Sequence, residues 1–157
     1  MSERRTIVPP VLKGVYEQWH FAPAVVSKGM IYCSGIIGTS VDGEAPGSAA
    51  LQGAQATSGT ADAPLSALQA VRDPEAQFAT AFEALAAILA EAGASLADLV
   101  EITTYHVDIA RHMETFARVR DRYLKEPWPA WTAIGVAELV VPGGLLEIRA
   151  IAALPEK

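Results

Sequence analysis

Glu147 and Arg149 alternate along the apolar run Leu145-Leu146-Glu147-Ile148-Arg149-Ala150-Ile151-Ala152. In a strand they share one face, roughly 6–7 Å apart at the backbone. A carboxylate in a partly dry setting can hold a water near an electrophilic carbon and manage its proton, which is the work of general acid–base hydrolysis. The plainer reading of the same two residues is an ion pair on a strand face. Sixteen positions before Glu147, Pro129-Ala130-Trp131-Thr132-Ala133 puts an indole into another short strand. Indole has one N–H donor and a broad apolar face, suited to stacking on an aromatic or cationic ligand or to packing at an interface.

Other chemistry-bearing residues point to structure. His20, His106 and His112 have no metal-ligand spacing, and they read as structural or surface residues. The single Cys33 sits in the apolar run Met30-Ile31-Tyr32-Cys33 and reads as a buried, reduced thiol. The chain carries no phosphate loop, dinucleotide fingerprint or nucleophile elbow. Its net charge is −6, without a Lys/Arg cluster, so nucleic acid is not the expected partner. No run approaches the roughly 18 apolar residues of a membrane span, and a cytoplasmic protein is expected.

Hydrophobic period then orders the elements. With 157 residues, 51% of them hydrophobic, the chain supports one domain with its own core. Val25-Val26 and Met30-Ile31-Tyr32-Cys33-Ser34 flank Ser27-Lys28-Gly29 and predict a hairpin, with Gly35 and Gly38 ending its second strand. Residues 39–72 are rich in Ala, Gly, Ser, Thr and Pro and predict a long surface excursion, functional or mobile, with mobility preferred. Asp73, Pro74 and Glu75 start a helix whose buried face carries Phe78, Phe82, Leu85 and Leu89, with Gly93 as its exit. Residues 102–107 read as a strand. Asp108 is expected to cap a second helix facing inward through Ile109, Met113, Phe116, Val119 and Tyr123, ended by Pro127 and Pro129.

Residues 131–136 and 145–153 close the chain as strands around Pro142-Gly143-Gly144. The resulting plan is α+β, with two helices packed on one face of a mixed sheet. In the last strand Leu146, Ile148, Ala150 and Ala152 face the helices, while Leu145, Glu147, Arg149 and Ile151 face away. That second face has no helix to cover it and carries apolar residues, so an oligomer with pockets at subunit joints is expected.

Taken in order, these residues resemble the RidA (YjgF-like) family of reactive-intermediate deaminases. The motifs are Ile31-Tyr32-Cys33-Ser34-Gly35, Ala92-Gly93-Ala94-Ser95-Leu96-Ala97-Asp98-Leu99-Val100, Pro129-Ala130 and Leu146-Glu147-Ile148-Arg149-Ala150-Ile151-Ala152. The likeness runs from about residue 21 to 154, apart from the excursion. It implies a single domain over residues 1–157 with a chorismate-mutase-like fold. It also implies a homotrimer whose sheets form an inner barrel, with three clefts between subunits. In the family those clefts bind small carboxylates, and well-studied members hydrolyse enamines or imines to a keto acid and ammonia. There an arginine after Pro-Ala grips the carboxylate, and a C-terminal glutamate orients the water.

By that resemblance Glu147 is the catalytic candidate, and Trp131 holds the arginine position. Ala133 stands where a cysteine is common, Phe21 replaces a tyrosine, and Ile36 replaces a glutamine. Together these exchanges predict a substrate cleft lined by Trp131, Phe21, Ile36 and Ala133 that suits a different or larger guest than the usual amino-acid-derived imine. Arg149 is the hypothesised replacement for the missing clamp, because it shares a strand face with Glu147. No organic cofactor or metal is implied. The expected function is hydrolysis or deamination of a small imine, enamine or related reactive metabolite. The alternative is a non-catalytic family member that binds a metabolite or a protein partner. Family members have also been labelled ribonucleases, a label the acidic chain does not support.

Overall fold

The structure is a computed structural model that describes residues 3–45 and 68–157. Most of the expected 39–72 excursion, residues 46–67, lies outside the described residues. Its two ends pair as short strands, β4 (Thr39–Ser40) with β5 (Gln69–Ala70).

The main sheet has six strands in the order β1-β2-β3-β8-β6-β7. These are β1 (Arg5–Ile7), β2 (Ala24–Ser27), β3 (Met30–Ile36), β6 (Leu99–Val107), β7 (Ala130–Val136) and β8 (Leu146–Ala153). Only β6 and β7 pair in parallel; every other ladder is antiparallel. The β2–β3 hairpin turns on Lys28 (φ 52°) and Gly29 (φ 76°). Two consecutive left-handed residues are what a two-residue turn needs to match strand twist, and glycine adopts that conformation without steric cost.

Helix α1 spans Lys13–Trp19, α2 Pro74–Ala92 and α3 Ile109–Tyr123. The sequence predicted α2 at both ends: the Asp73 carboxylate accepts the Ala76 N–H at 2.9 Å, and Gly93 exits at φ 91°. Phe78, Phe82, Leu85 and Leu89 are fully buried against the sheet. Helix α3 packs on α2 through an aromatic layer in which Phe116 meets Phe78 edge-on and Phe82 in a stacked pair. Such contacts add roughly 0.5–1.5 kcal/mol beyond area burial. From β8, Leu146, Ile148, Ala150 and Ala152 complete the core as their alternation predicted.

Three local expectations change. Asp108 does precede α3, but its left-handed backbone (φ 57°) leaves the side chain out of the cap, and its carboxylate sits 3.9 Å from Arg111 instead. The backbone carbonyl of Asp108 takes over, accepting the Arg111 and His112 N–H groups. Strand β1 and helix α1 precede the predicted hairpin; three and seven residues are too few to display a period. Strand β3 also runs past Gly35 to Ile36 through a bulge.

One buried polar group ties these layers together. Gln77, on the first turn of α2, donates through Nε2 to the carbonyls of Val71 (2.9 Å) and Gly143 (3.1 Å). Its Oε1 accepts the Leu145 N–H at 2.7 Å. The amide thus holds the turn that launches β8. A side chain at Gly38 would run into the Gln77 carbonyl, so the β3–β4 link passes the helix as bare backbone. Gln77→Leu keeps the volume but strands two carbonyls and an N–H, and should cost about 3 kcal/mol, measured as a lower urea midpoint with an unchanged slope.

Candidate functional site

Alternation along β8 places Glu147 on the sheet face away from the helices, directly opposite Tyr105 of β6. What makes room for it lies on β3. Cys33 opposes Ala150 and Ile36 opposes Ile148, so three residue steps on β3 face two on β8. This bulge reverses the alternation, which turns Ile36 into the helix side and leaves Gly35 beneath the glutamate. A Cβ at Gly35 would stand 2.7 Å from Glu147 Cδ, so the carboxylate occupies the space a side chain would need.

Glu147 is half-buried and has neither a hydrogen-bond partner nor an ion pair among the described residues. Arg149 is exposed on the same face opposite Thr103 and does not pair with it, so the plain ion-pair reading fails. Desolvation raises the Glu147 pKa above its ordinary 4.5. Cys33, on β3, is 4% exposed, and burial pushes its thiol up to about 11, which makes it inert at neutral pH.

A cavity of about 340 Å³ opens on the helix side of Gly35, between α1, α2, β3 and the 140–142 segment. Phe21 and Ile36 line it, as do Leu12, Val15 and Trp19 from the N-terminal region. Ser34 positions Phe21: its Oγ donates to the Ala22 carbonyl at 2.6 Å and its N–H to Pro23 at 2.9 Å. Gly35 is therefore shared, lining the cavity on one side and carrying Glu147 over the other.

Trp131 and Ala133 lie elsewhere. They oppose Ile102 and Thr104 across β7–β6, on the helix side of the sheet edge. Strand β7 is three positions from β3, roughly 14 Å at ordinary strand spacing. The Trp131 indole N–H donates to Thr104 Oγ1 at 2.8 Å, its ring tilts against Phe116, and the Arg120 guanidinium stands 5.0 Å over it. Thr104 Oγ1 also bonds His106 Nε2 at 2.7 Å. His106 is fully buried, burial lowers its pKa, and its Nδ1 has no partner.

The expected single lining of Trp131, Phe21, Ile36 and Ala133 is thus divided within one chain. Phe21 and Ile36 share the cavity, with Glu147 behind Gly35. Trp131 and Ala133 sit on the far strand. Arg149 faces the opposite side of the sheet from Trp131, so it does not fill the arginine's place within the chain. The cradle at Gly35 and the α1 wall were missed. Gly35 read as a strand end, because a bulge leaves only a break in alternation. Among the described residues no group of three or more His, Cys, Asp or Glu could hold a metal ion.

The raised pKa has a definite sign. The folded protein holds the Glu147 proton more tightly than the unfolded chain does. The cost of its charge is therefore absent below the ordinary carboxylate value and grows as pH rises from about 4.5 through the raised one. Relative to wild type, Glu147→Gln should gain stability as pH rises above about 4.5, levelling off once the carboxyl is fully ionised. Thermal melts across that range check it, and a difference that shrinks with rising pH would reverse the assignment.

The model of the family described as endoribonuclease L-PSP matches residues 56–154. The RutC family protein YjgH of Escherichia coli (strain K12) is 27% identical over 158 aligned residues, covering 100% of both chains. A solved structure of protein YJGH superposes with a TM-score of 0.75 at 26% identity, covering 99% of each chain. The structure of RidA from the Antarctic bacterium Psychrobacter sp. PAMC 21119 gives a TM-score of 0.70 at 24% identity over 95% of this chain and 99% of that one, a likeness of fold. The six-stranded mixed sheet with its helices is accordingly the chorismate-mutase-like fold expected from the sequence. The chain belongs to the endoribonuclease L-PSP family, the group of YjgF and RidA proteins.

Proposed function

We propose that this protein is a RidA-like hydrolase that deaminates a small imine, enamine or related reactive metabolite in clefts between subunits. The observation that carries this reading is the half-buried, unpartnered Glu147 held over Gly35 beside an apolar cavity. An unpartnered carboxylate whose pKa is raised by burial is a stronger base than an ordinary one and is suited to take a proton from water. It orients a water against the imine carbon and accepts a proton as the C–O bond forms. It returns that proton to nitrogen to give the carbinolamine, then relays the hydroxyl proton to nitrogen as the C–N bond breaks and the C=O bond forms, releasing a carbonyl compound and ammonia. These steps require no organic cofactor.

The assembly follows from what one chain leaves uncovered. Residues 130–135 of edge strand β7 are all exposed, and the open sheet face carries Tyr32 and Ile134, each at least 40% exposed. An unpaired apolar edge beside an uncovered apolar face calls for a partner. In a homotrimer β7 of one subunit meets the cavity of the next, which reunites Trp131 and Ala133 with Phe21, Ile36 and Glu147 across the joint.

A second reading, a metabolite-binding member without turnover, is favoured by one observation. Trp131 is tied inward through Thr104 and Phe116, and a single indole N–H cannot replace a bidentate guanidinium. The family description names an endoribonuclease, but a −6 chain is poorly matched to a polyphosphate.

Ammonia release from a panel of imines generated in situ separates the two readings. The hydrolase requires Glu147→Gln to lose at least about a hundredfold in rate. Silence of the wild type across the panel selects the binding module. In light scattering the shared cleft requires a mass near three times the 16.6 kDa chain, and a monomer would sink it.

A further inference from the structure

We infer that the cleft takes a neutral, largely apolar guest whose one polar group is an N–H donor, and that it discriminates against carboxylates. This deepens the hydrolase reading and takes its cleft as given.

Among the described residues the cavity wall contains no charged side chain. Its shape is set by aliphatic residues from three directions: Val15 of α1, Ile36 of β3, and Ala84 and Ile88 of α2. A volume of about 340 Å³ is at the small end of ligand sites and holds on the order of ten non-hydrogen atoms. Two of the wall's three hydroxyls, those of Ser34 and Thr80 beside Thr39, add a sign. Ser34 Oγ donates its proton to the Ala22 carbonyl at 2.6 Å, and Thr80 Oγ1 donates its own to the Ala76 carbonyl at 2.7 Å. With both protons committed to backbone, these oxygens offer the cavity lone pairs alone. A guest N–H can donate to them, whereas a carboxylate meets acceptors.

Among the described residues no free cation reverses that preference: Arg120, which accompanies Trp131, is paired with the Asp121 carboxylate at 2.9 Å. Arg72 is engaged by Glu44 and the Asp42 carbonyl, and Lys13 stands 3.7 Å from Glu17. Arg149 projects from the opposite sheet face. A buried carboxylate without a charged or donor partner is strongly disfavoured. The guest that fits is an alkyl or aryl imine or enamine with a free N–H and no acid group.

Binding can be read without turnover. The intact protein is titrated with neutral 1-naphthylamine, a probe of the size the cavity holds, followed by its fluorescence change, and the probe is then displaced with phenylacetamide and with phenylacetate at neutral pH. The amide should displace at least about tenfold better than the acid. Ala84→Phe, which fills the cavity, should weaken probe binding at least about tenfold. Val140→Arg, at a rim position 74% exposed, should shift the preference toward phenylacetate by supplying the missing cation, and keeps the test open if Ala84→Phe misfolds. Equal or better displacement by the acid, absence of probe binding, or a Val140→Arg variant with unchanged preference overturns the inference. An amide preference with no imine hydrolysis would remove the hydrolase and leave this inference standing. Hydrolysis confined to carboxylate-bearing imines would do the reverse.

Discussion

The Gln77 amide is the contact on which the site's geometry depends. It reaches three backbone groups from two separate segments, and each is buried enough that losing its partner would expose an uncompensated dipole to apolar surroundings. Through Val71 it anchors the return of the excursion, and through Gly143 and Leu145 it sets where β8 begins. Strand side chains alternate with a period of two, so the starting point of β8 decides which residues face the helices. A slip of one residue would bury Glu147 and Arg149 in the core and expose Leu146 and Ile148. The position of the carboxylate thus depends on an amide that grips the chain two residues before it.

The second constraint is the bulge at Ser34–Gly35. It joins two requirements that a regular strand could not meet together. Ile36 must face the cavity, and the adjacent residue must leave space for a carboxylate on the other side. Local irregularity in β3 therefore couples an apolar binding wall to an acid–base group with one glycine between them. The enzyme reading and the preference for a neutral guest both derive from that adjacency.

Much of this was legible in residue types. Asp73, Pro74 and Gly93 mark both ends of α2 because caps are local chemistry, and the Phe78, Phe82, Leu85 and Leu89 face needs only helical period. The β8 alternation likewise gave the correct core face, and the motifs gave the family. What stayed hidden depends on contacts distant in sequence. Nothing around Gln77 distinguishes it from a surface glutamine, since its three partners are set by the fold. Asp108 looks like a cap, and only its left-handed backbone shows otherwise. Helix α1 has too few residues to reveal a face. Trp131 was legible as an exchanged residue but not as one turned toward Thr104 and Phe116, because that depends on which side of β7 meets α3.

Trp131 also bears on whether the exchange can be undone. Its indole supplies the donor for Thr104, which in turn holds the buried His106, and its ring receives the Arg120 guanidinium. An arginine at 131 would bring a second cation against Arg120 and replace the ring that covers Phe116. Replacing Trp131 by arginine in one step would meet repulsion and a cavity before it supplied a clamp. Position 131 is thus contingent on 104, 106 and 120: which side chain it can hold is set by its neighbours on β6 and α3 as much as by any guest.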